Sequence, residues 1–157
     1  MEVKFRKAIE KDYIHIDKFL AELHKLHYEN RSDVYRECES LITKEEYLGL
    51  LKDDIHRIVV ASVDGELAGY ASGKIVNVKE NIVQKKDKYL FIDEIYTDSK
   101  YRRMGIAKGL LEYLKEISKR EECTEIQLNV WSFNEEAIKF YYSIGFKNRN
   151  IRLEYEI

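Results

Sequence analysis

The most constraining feature of the sequence is a stretch in which a strand, a basic turn and a helix follow one another directly. Residues 89–97 predict a strand, and residues 105–119 repeat apolar side chains at helical spacing. A further strand is expected over residues 124–130. Two strands joined by a single helix pair in parallel through a right-handed crossover. The chain is therefore predicted to fold as an α/β domain built around this unit.

The remaining pattern adds antiparallel strands on one side of that unit. Asp64-Gly65 predicts a hairpin turn, and Gly69 and Gly73 mark possible bulges in the returning strand. Thr43 and Glu46 form a capping-box pattern that starts a helix. The other predicted elements are strands over 3–8, 57–63, 67–78 and 146–157, helices over 12–28, 32–41 and 134–144, and a hairpin loop over 79–88. We expect one domain over residues 1–157, with a mixed, mostly antiparallel central sheet and helices on both faces.

Composition narrows the classes of function. The 157 residues carry 27 basic and 29 acidic side chains, and a net charge of −2 argues against nucleic acid as a partner. No apolar run approaches the ~20 residues of a membrane span and no apolar leader is visible, so a cytoplasmic location away from membranes is expected. His24 and His27 stand three apart, but no third ligand follows at useful spacing, so no metal is expected.

The turn before the second helix has the composition of a phosphate-binding loop. Gly105 and Ala107 leave room for an anion to approach the backbone, and Arg102 and Arg103 add positive charge beside a helix N-terminus. The same residues are also compatible with an ordinary helix start that carries solvated arginines. On residue chemistry alone, the two interpretations are equally supported.

Two segments resemble the GNAT superfamily of N-acetyltransferases. Residues 102–107, RRMGIA, are similar to the acyl-CoA signature Q/R-x-x-G-x-G/A, with Ala107 in place of the commoner glycine. Residues 134–146, NEEAIKFYYSIGF, are similar to the N-x-x-A-x-x-F-Y-x-x-x-G-F block of many members. The resemblance implies acetyl transfer from acetyl-CoA to a primary amine, of a small molecule or a protein, by direct transfer in a ternary complex. The alternative is a non-catalytic acyl-CoA sensor.

The resemblance also implies how acetyl-CoA is held. The pantetheine arm is expected along the strand edge at Ile95, Tyr96 and Thr97, and Asn134 is expected to bond the pantetheine or the thioester region. The pyrophosphate is expected beside Arg102 and on the backbone of Arg103, Met104, Gly105, Ile106, Ala107 and Lys108.

Three residues are predicted to move protons. Tyr141 matches the family position of a general acid, although residue pattern alone favours a core tyrosine. Asp93 is slightly favoured over Glu94 as the base, and the period of a strand places the two on opposite faces unless a bulge intervenes. A chain of waters in place of a single base is the other possibility.

The acceptor is expected near the end of the first long helix, where His27, Tyr28 and Arg31 are predicted to line its mouth. Acidic pairs at 37/39, 45/46 and 53/54 either attract a cationic amine or form solvated helix faces. A homodimer through the last predicted strand is a further possibility.

Overall fold

The computed structural model describes all residues from 1 to 157, and its helices and strands follow the predicted order except for two elements. The elements are β1 Val3–Lys7, α1 Tyr13–Asn30, α2 Lys44–Lys52, β2 His56–Val63, β3 Glu66–Val78, β4 Asp87–Thr97, α3 Ile106–Arg120, β5 Glu125–Leu128 and α4 Glu135–Ser143. Single 3₁₀ turns cover Glu10–Asp12 and Ser99–Tyr101.

The five strands form one sheet in the order β1-β2-β3-β4-β5. The first four strands are antiparallel neighbours. Strand β5 runs parallel to β4 because α3 returns the chain to the end of the sheet at which β4 begins. Asp64 and Gly65 both adopt positive φ at the β2–β3 turn, as a tight hairpin requires. The predicted mixed, mostly antiparallel sheet is confirmed.

Each face of the sheet is covered by its own pair of helices. Successive residues of β2 point to opposite faces, so Val59 and Ala61 join one core while Ile58 and Val60 join the other. The first core holds the apolar sides of α3 and α4, and includes Leu110, Leu114 and Tyr141. The second core holds α1 and α2, and includes Phe19, Tyr47 and Tyr70. The expectation of helices on both faces is therefore confirmed, and we call these the α3 face and the α1 face.

Two register shifts interrupt the antiparallel ladder beside the glycines predicted as bulge sites. Between β2 and β3 the shift lies next to Gly69. Between β3 and β4, Ser72 pairs with Glu94 and Gly73 pairs with Ile92, which leaves Asp93 without a partner. An extra residue of this kind bends its strand and increases the local twist.

Two predicted elements are wrong. Residues 32–41 form a turn and a loop instead of a helix, because their polar groups bond to side chains of α1: Asp17 accepts from the Ser40 hydroxyl and from the Leu41 amide. Residues 146–157 form no strand, because no backbone group of residues 147–157 hydrogen-bonds to a strand of the sheet.

We predict opposite effects of the same substitution at two helical glycines. Gly109→Ala places a methyl carbon 2.0 Å from Phe5 Cζ, so it should destabilise the fold by about 1–3 kcal/mol through overpacking between α3 and β1. Gly49→Ala in α2 meets nothing within 4 Å and should stabilise by about 0.5–1 kcal/mol. Urea unfolding of both variants measures the two values. A Gly109→Ala protein as stable as Gly49→Ala would contradict the close helix–strand contact.

Candidate active site

The candidate site begins where β4 and β5 part. Their ladder ends at the pair Ile92 and Leu128, although β4 continues to Thr97. Over residues 94–97 β4 is paired with β3 on one side only, so its other backbone edge is free. A free edge of this kind can pair with an extended ligand as an added strand would. The parting therefore opens a cleft that leads from the middle of the sheet to the turn before α3.

The turn after β4 presents a row of unpaired backbone amides. Arg103 and Gly105 adopt left-handed φ values of 64° and 77°. The amides of residues 103–108 donate to no acceptor in the chain, and Gly109 is the first whose amide is satisfied, by the Gly105 carbonyl at 2.9 Å. Successive amides that converge at a helix N-terminus form an anion-binding concavity.

The side chains of this turn separate into anchors and free charges. Ile106 is fully buried and Met104 packs against the same core, so the turn is fixed to the α3 face. Arg102, Arg103 and Lys108 are exposed and belong to no ion pair of the chain. Ala107 is half-buried. The residues that the sequence predicts to bind phosphate thus lie together, and their amides and positive charges are open to solvent.

Strand β4 fits a long flexible ligand through its backbone and one hydroxyl. The Tyr96 side chain points to the α1 face and donates to Glu22, so only its backbone borders the cleft. Ile95 packs against the opposite core. The Thr97 hydroxyl is buried and has no hydrogen-bond partner in the chain. Together with the amides of the turn, these groups match the chemistry of a pantetheine arm that ends in a pyrophosphate.

The two candidate bases lie on the same face, contrary to the expectation from strand period. Asp93 is 3.4 Å from the Lys74 ammonium, and Glu94 accepts a hydrogen bond from the Ser72 hydroxyl. Ser72 and Lys74 are two residues apart on β3 and therefore share a face. The unpaired Asp93 shifts the alternation by one residue and brings both carboxylates to the α1 face.

Glu94 is the more perturbed of the two acids. Burial raises the pKa of Glu94, the hydrogen bond from Ser72 opposes the rise, and the negative charge of Asp93 adds to it. Nearby on the same face, the buried Tyr70 hydroxyl lacks a partner, and burial together with the two carboxylates raises its pKa. Buried, perturbed groups beside a cleft are common at catalytic sites.

Tyr141 lies on the other side of the sheet. Its ring is 8% exposed, within 5.4 Å of both Phe140 and Phe146, and its hydroxyl forms no hydrogen bond. Burial raises the pKa of Tyr141 to about 12. Tyr142 next to it is exposed and donates to Asn148 at 2.7 Å.

Asn134 has a structural role at the start of α4. Its side-chain oxygen accepts from the Ala137 amide at 3.2 Å, which caps the helix as the sequence predicts. Its amide nitrogen makes no hydrogen bond and is the part that remains available to a ligand.

The end of α1 meets the chain beyond β5 in a group of aromatic side chains. His27 lies 5.7 Å from Tyr35 and 6.1 Å from Phe133, and the Arg31 guanidinium stacks 4.5 Å above Trp131. Trp131 donates to the Tyr35 hydroxyl at 3.1 Å. We call these five residues the aromatic group. Predicted residues His27 and Arg31 belong to it, whereas Tyr28, 100° further round the helix, makes no ring contact or hydrogen bond with it.

Sequence reasoning missed the partners of these predicted residues. Only long-range packing brings Tyr35, Trp131 and Phe133 to His27, and only strand register brings Ser72 to Glu94. Local spacing carries no signal for either arrangement.

Other polar groups singled out in the sequence have local explanations. Glu46 completes the capping box with Thr43, and Asp53 accepts from the amides of Ile55 and His56. Of the two free cysteines, Cys38 is exposed, and burial raises the pKa of the Cys123 thiol. No group of three or more possible metal ligands occurs, and none of the helices is long and apolar enough to cross a bilayer.

Comparison with solved structures identifies the same architecture. The BH1408 protein of Bacillus halodurans, solved as a tetramutant, superposes with a TM-score of 0.94 at 22% identity, covering 98% of this chain and 99% of that one. An aminoglycoside acetyltransferase from an uncultured soil metagenomic sample superposes with a TM-score of 0.76 at 18% identity, covering 100% and 99%. The enzyme AAC(6')-Iy, solved with a CoA-linked bisubstrate analog, gives a TM-score of 0.72 at 16% identity, again covering 100% and 99%. At these identities the likeness shows the fold.

Comparison of sequences gives the family. An uncharacterized N-acetyltransferase of Lactobacillus delbrueckii subsp. lactis is 32% identical over 83 residues, which are 53% of this chain but only 47% of that protein. The match with the family described as "Acetyltransferase (GNAT) family" extends over residues 20–146 and includes both segments that carry the resemblance. The chain belongs to the acetyltransferase (GNAT) family.

Proposed function

We propose that this protein transfers the acetyl group of acetyl-CoA directly to a primary amine within a ternary complex. The observation that carries the proposal is the free backbone edge of β4 beyond its parting from β5, which connects the partly buried Glu94 with the turn that holds the unpaired amides of residues 103–108. The acceptor is a small amine or a protein amino group. A cytoplasmic location stays a prediction.

In this proposal, acetyl-CoA is bound by the residues that can accommodate an extended anion. The amides of residues 103–108 receive the pyrophosphate, with Arg102, Arg103 and Lys108 supplying charge. The free edge of Ile95, Tyr96 and Thr97 pairs with the pantetheine arm, and the Asn134 amide nitrogen is a further donor. When bound, acetyl-CoA supplies an activated acyl thioester.

Glu94 acts as the general base in this proposal. An alkyl ammonium has a pKa near ~10 and must lose a proton before its nitrogen can attack. Glu94 is partly buried, has a raised pKa and accepts a hydrogen bond from Ser72, which suits it to act as a proton acceptor. Asp93 is instead held by the Lys74 ammonium and helps to keep the pKa of Glu94 high.

Tyr141 acts as the general acid. With a pKa of about 12 it stays protonated at neutral pH and has a hydroxyl that no other residue engages. It donates this proton to the sulfur as the carbon–sulfur bond breaks. The nitrogen releases its second proton to solvent as the amide forms, and the Tyr141 phenolate regains a proton from solvent. Backbone amides on the free edge of β4 stabilise the negative charge that develops on the carbonyl oxygen.

The aromatic group is proposed to form the acceptor mouth, because it adjoins the point where β5 ends. Burial and the neighbouring His24 lower the pKa of His27, so this ring is neutral at physiological pH and does not repel a cationic amine. Flat aromatic faces attract alkyl ammonium groups. Aminoglycosides belong among the amines to test, because two proteins of the same fold are described as acting on them or binding a related analog.

Isothermal titration with acetyl-CoA, followed by thiol release over a panel of amines and peptides, tests the proposal. Binding together with turnover on any amine supports it. Binding without turnover on the whole panel favours the acyl-CoA sensor. Absence of binding at millimolar concentration would overturn the proposal.

We predict that Gly105→Ala weakens acetyl-CoA binding at least about tenfold, because a side chain at this left-handed residue enters the space over the unpaired amides. Gly65→Ala is the matched control, since Gly65 is also left-handed with nothing within 4 Å but lies in the β2–β3 turn. Both should lose about 1–2 kcal/mol of stability from backbone strain. Equal affinity in the two variants would remove the turn from the binding site.

We predict that Glu94→Gln lowers kcat/KM by about 10²–10⁴-fold and removes the acidic limb of its pH profile. Asp93→Asn should retain most activity and shift that limb to lower pH, because the charge of Asp93 raises the pKa of Glu94. Initial rates from pH 5 to 9 measure both effects. A larger loss in Asp93→Asn than in Glu94→Gln would assign the base to Asp93.

The pH dependence of folding stability gives an independent test of the raised pKa of Glu94. The folded state raises its pKa, so it binds the proton more tightly than the unfolded chain does. Stability is therefore lost as pH rises from the unfolded pKa through the folded pKa. Glu94→Gln should be more stable than the wild type at pH 8, and this advantage should shrink as pH falls toward 4.5.

We predict that Tyr141→Phe lowers kcat by about 10–100-fold with little change in acetyl-CoA affinity. Because the pKa of Tyr141 is about 12, the loss should be the same from pH 6 to 9, unlike that of Glu94→Gln. Tyr142→Phe serves as the control on the exposed side of the same helix. Equal rates for the wild type and Tyr141→Phe would leave Tyr141 as a core residue only.

A further inference from the structure

Three apolar side chains of the sheet, Val76, Tyr89 and Phe91, belong to neither core. Leu90 and Ile92 of β4 join the α3-face core, so the residues that alternate with them point to the α1 face. Val76 of β3 is paired with Tyr89 and points to the same face. Because all three side chains are only partly buried, this part of the α1 face is an apolar surface that the chain leaves open.

Strand register arranges this surface as a line that ends at Glu94. Three successive cross-strand pairs share the face, and we call them the open strip: Val76 with Tyr89, Lys74 with Phe91, and Ser72 with Glu94. Side chains that are paired in this way lie next to each other across the two strands. The next pair, Tyr70 with Tyr96, lies inside the α1-face core. The open strip therefore leads along β4 to Glu94 and stops where the core begins.

The charges beside the open strip leave one carboxylate free. The Lys74 ammonium lies 3.4 Å from Asp93 and 5.7 Å from the centre of the Phe91 ring, so Asp93 already has a counter-charge. Glu94 forms no ion pair, and its carboxylate accepts only from the Ser72 hydroxyl. A ligand with one cationic group therefore finds one counter-charge at the end of an apolar surface. A second cationic group placed on the strip would be repelled by Lys74.

We propose that the acceptor is a primary amine with one cationic group and an aromatic body, and that the open strip binds this body while the amine reaches Glu94. The inference rests on the acetyl-transfer proposal, which makes Glu94 the base. At about 3.4 Å per residue, Phe91 lies at most roughly 10 Å before Glu94 along β4. The chain and ring of 4-phenylbutylamine cover that distance, so its ring can contact Phe91 and Tyr89. The open strip shares no residue with the aromatic group, so separate variants test the two surfaces.

A pair of amines that differ only in the ring tests the proposal. The kcat/KM values of n-butylamine and 4-phenylbutylamine are measured at saturating acetyl-CoA. The ring should raise kcat/KM at least about tenfold in the wild type, because its contact with the strip removes apolar surface of both partners from water. An aminoglycoside, which carries several cationic groups, should be a poorer acceptor than 4-phenylbutylamine.

Substitutions of Phe91 test whether the gain comes from the open strip. Phe91→Thr removes the ring but keeps a β-branched residue in the strand, and it should lose most of the gain in kcat/KM. Phe91→Leu keeps an apolar side chain and should retain more of the gain than Phe91→Thr. Tyr142→Thr is the matched control, because Tyr142 is an aromatic residue 51% exposed on α4, and it should keep the full gain. Circular dichroism checks that each variant is folded.

Isothermal titration of the two amines without acetyl-CoA separates the open strip from acetyl transfer. Tighter binding of 4-phenylbutylamine that Phe91→Thr abolishes, without turnover of either amine, would support the strip and count against the acetyl-transfer proposal. Turnover with equal kcat/KM for the two amines, a gain that survives in Phe91→Thr, or an aminoglycoside that exceeds 4-phenylbutylamine as acceptor would each overturn the strip while acetyl transfer stands. Equal affinities without turnover would overturn both.

Discussion

The arrangement of the site depends on one local constraint: Asp93 has no partner in β3, and β4 parts from β5 at the same residue. A regular ladder would have satisfied every backbone group of β4 and placed its two acids on opposite faces. The extra residue instead brings Asp93 and Glu94 to the α1 face. The parting leaves the backbone of residues 94–97 free on one side, which creates the cleft.

The turn before α3 extends this opening with backbone groups rather than side chains. Left-handed conformations at Arg103 and Gly105 turn the amides of residues 103–108 outward, and the buried Ile106 holds them there. Such a residue other than glycine carries a strain of roughly 1–2 kcal/mol, so Arg103 is kept in place by the packing around it. Amides fixed in this way need no reorganisation when an anion arrives.

Much of the fold follows from local pattern, whereas much of the site does not. The capping box at Thr43, the Asp64-Gly65 turn and the strand–turn–helix over 89–119 act within a few residues, and the structure contains all three. The facing of Asp93 depends on its register with β3, and the aromatic group depends on packing between α1 and the chain beyond β5. The strand predicted over residues 146–157 is wrong, because a strand exists only where a neighbour supplies hydrogen bonds, and local pattern does not show whether it does.

The positions of the titratable groups favour direct transfer over a covalent route. Glu94 lies on the α1 face, and Tyr141 lies on the α3 face against which Ile95 packs. In the proposed reaction, a proton leaves the amine on one side of β4 while another reaches the sulfur from the other side. A covalent route needs a reactive thiol at the cleft. Cys123 precedes the beginning of β5, at the end away from the cleft, and its raised pKa keeps it protonated and weakly nucleophilic.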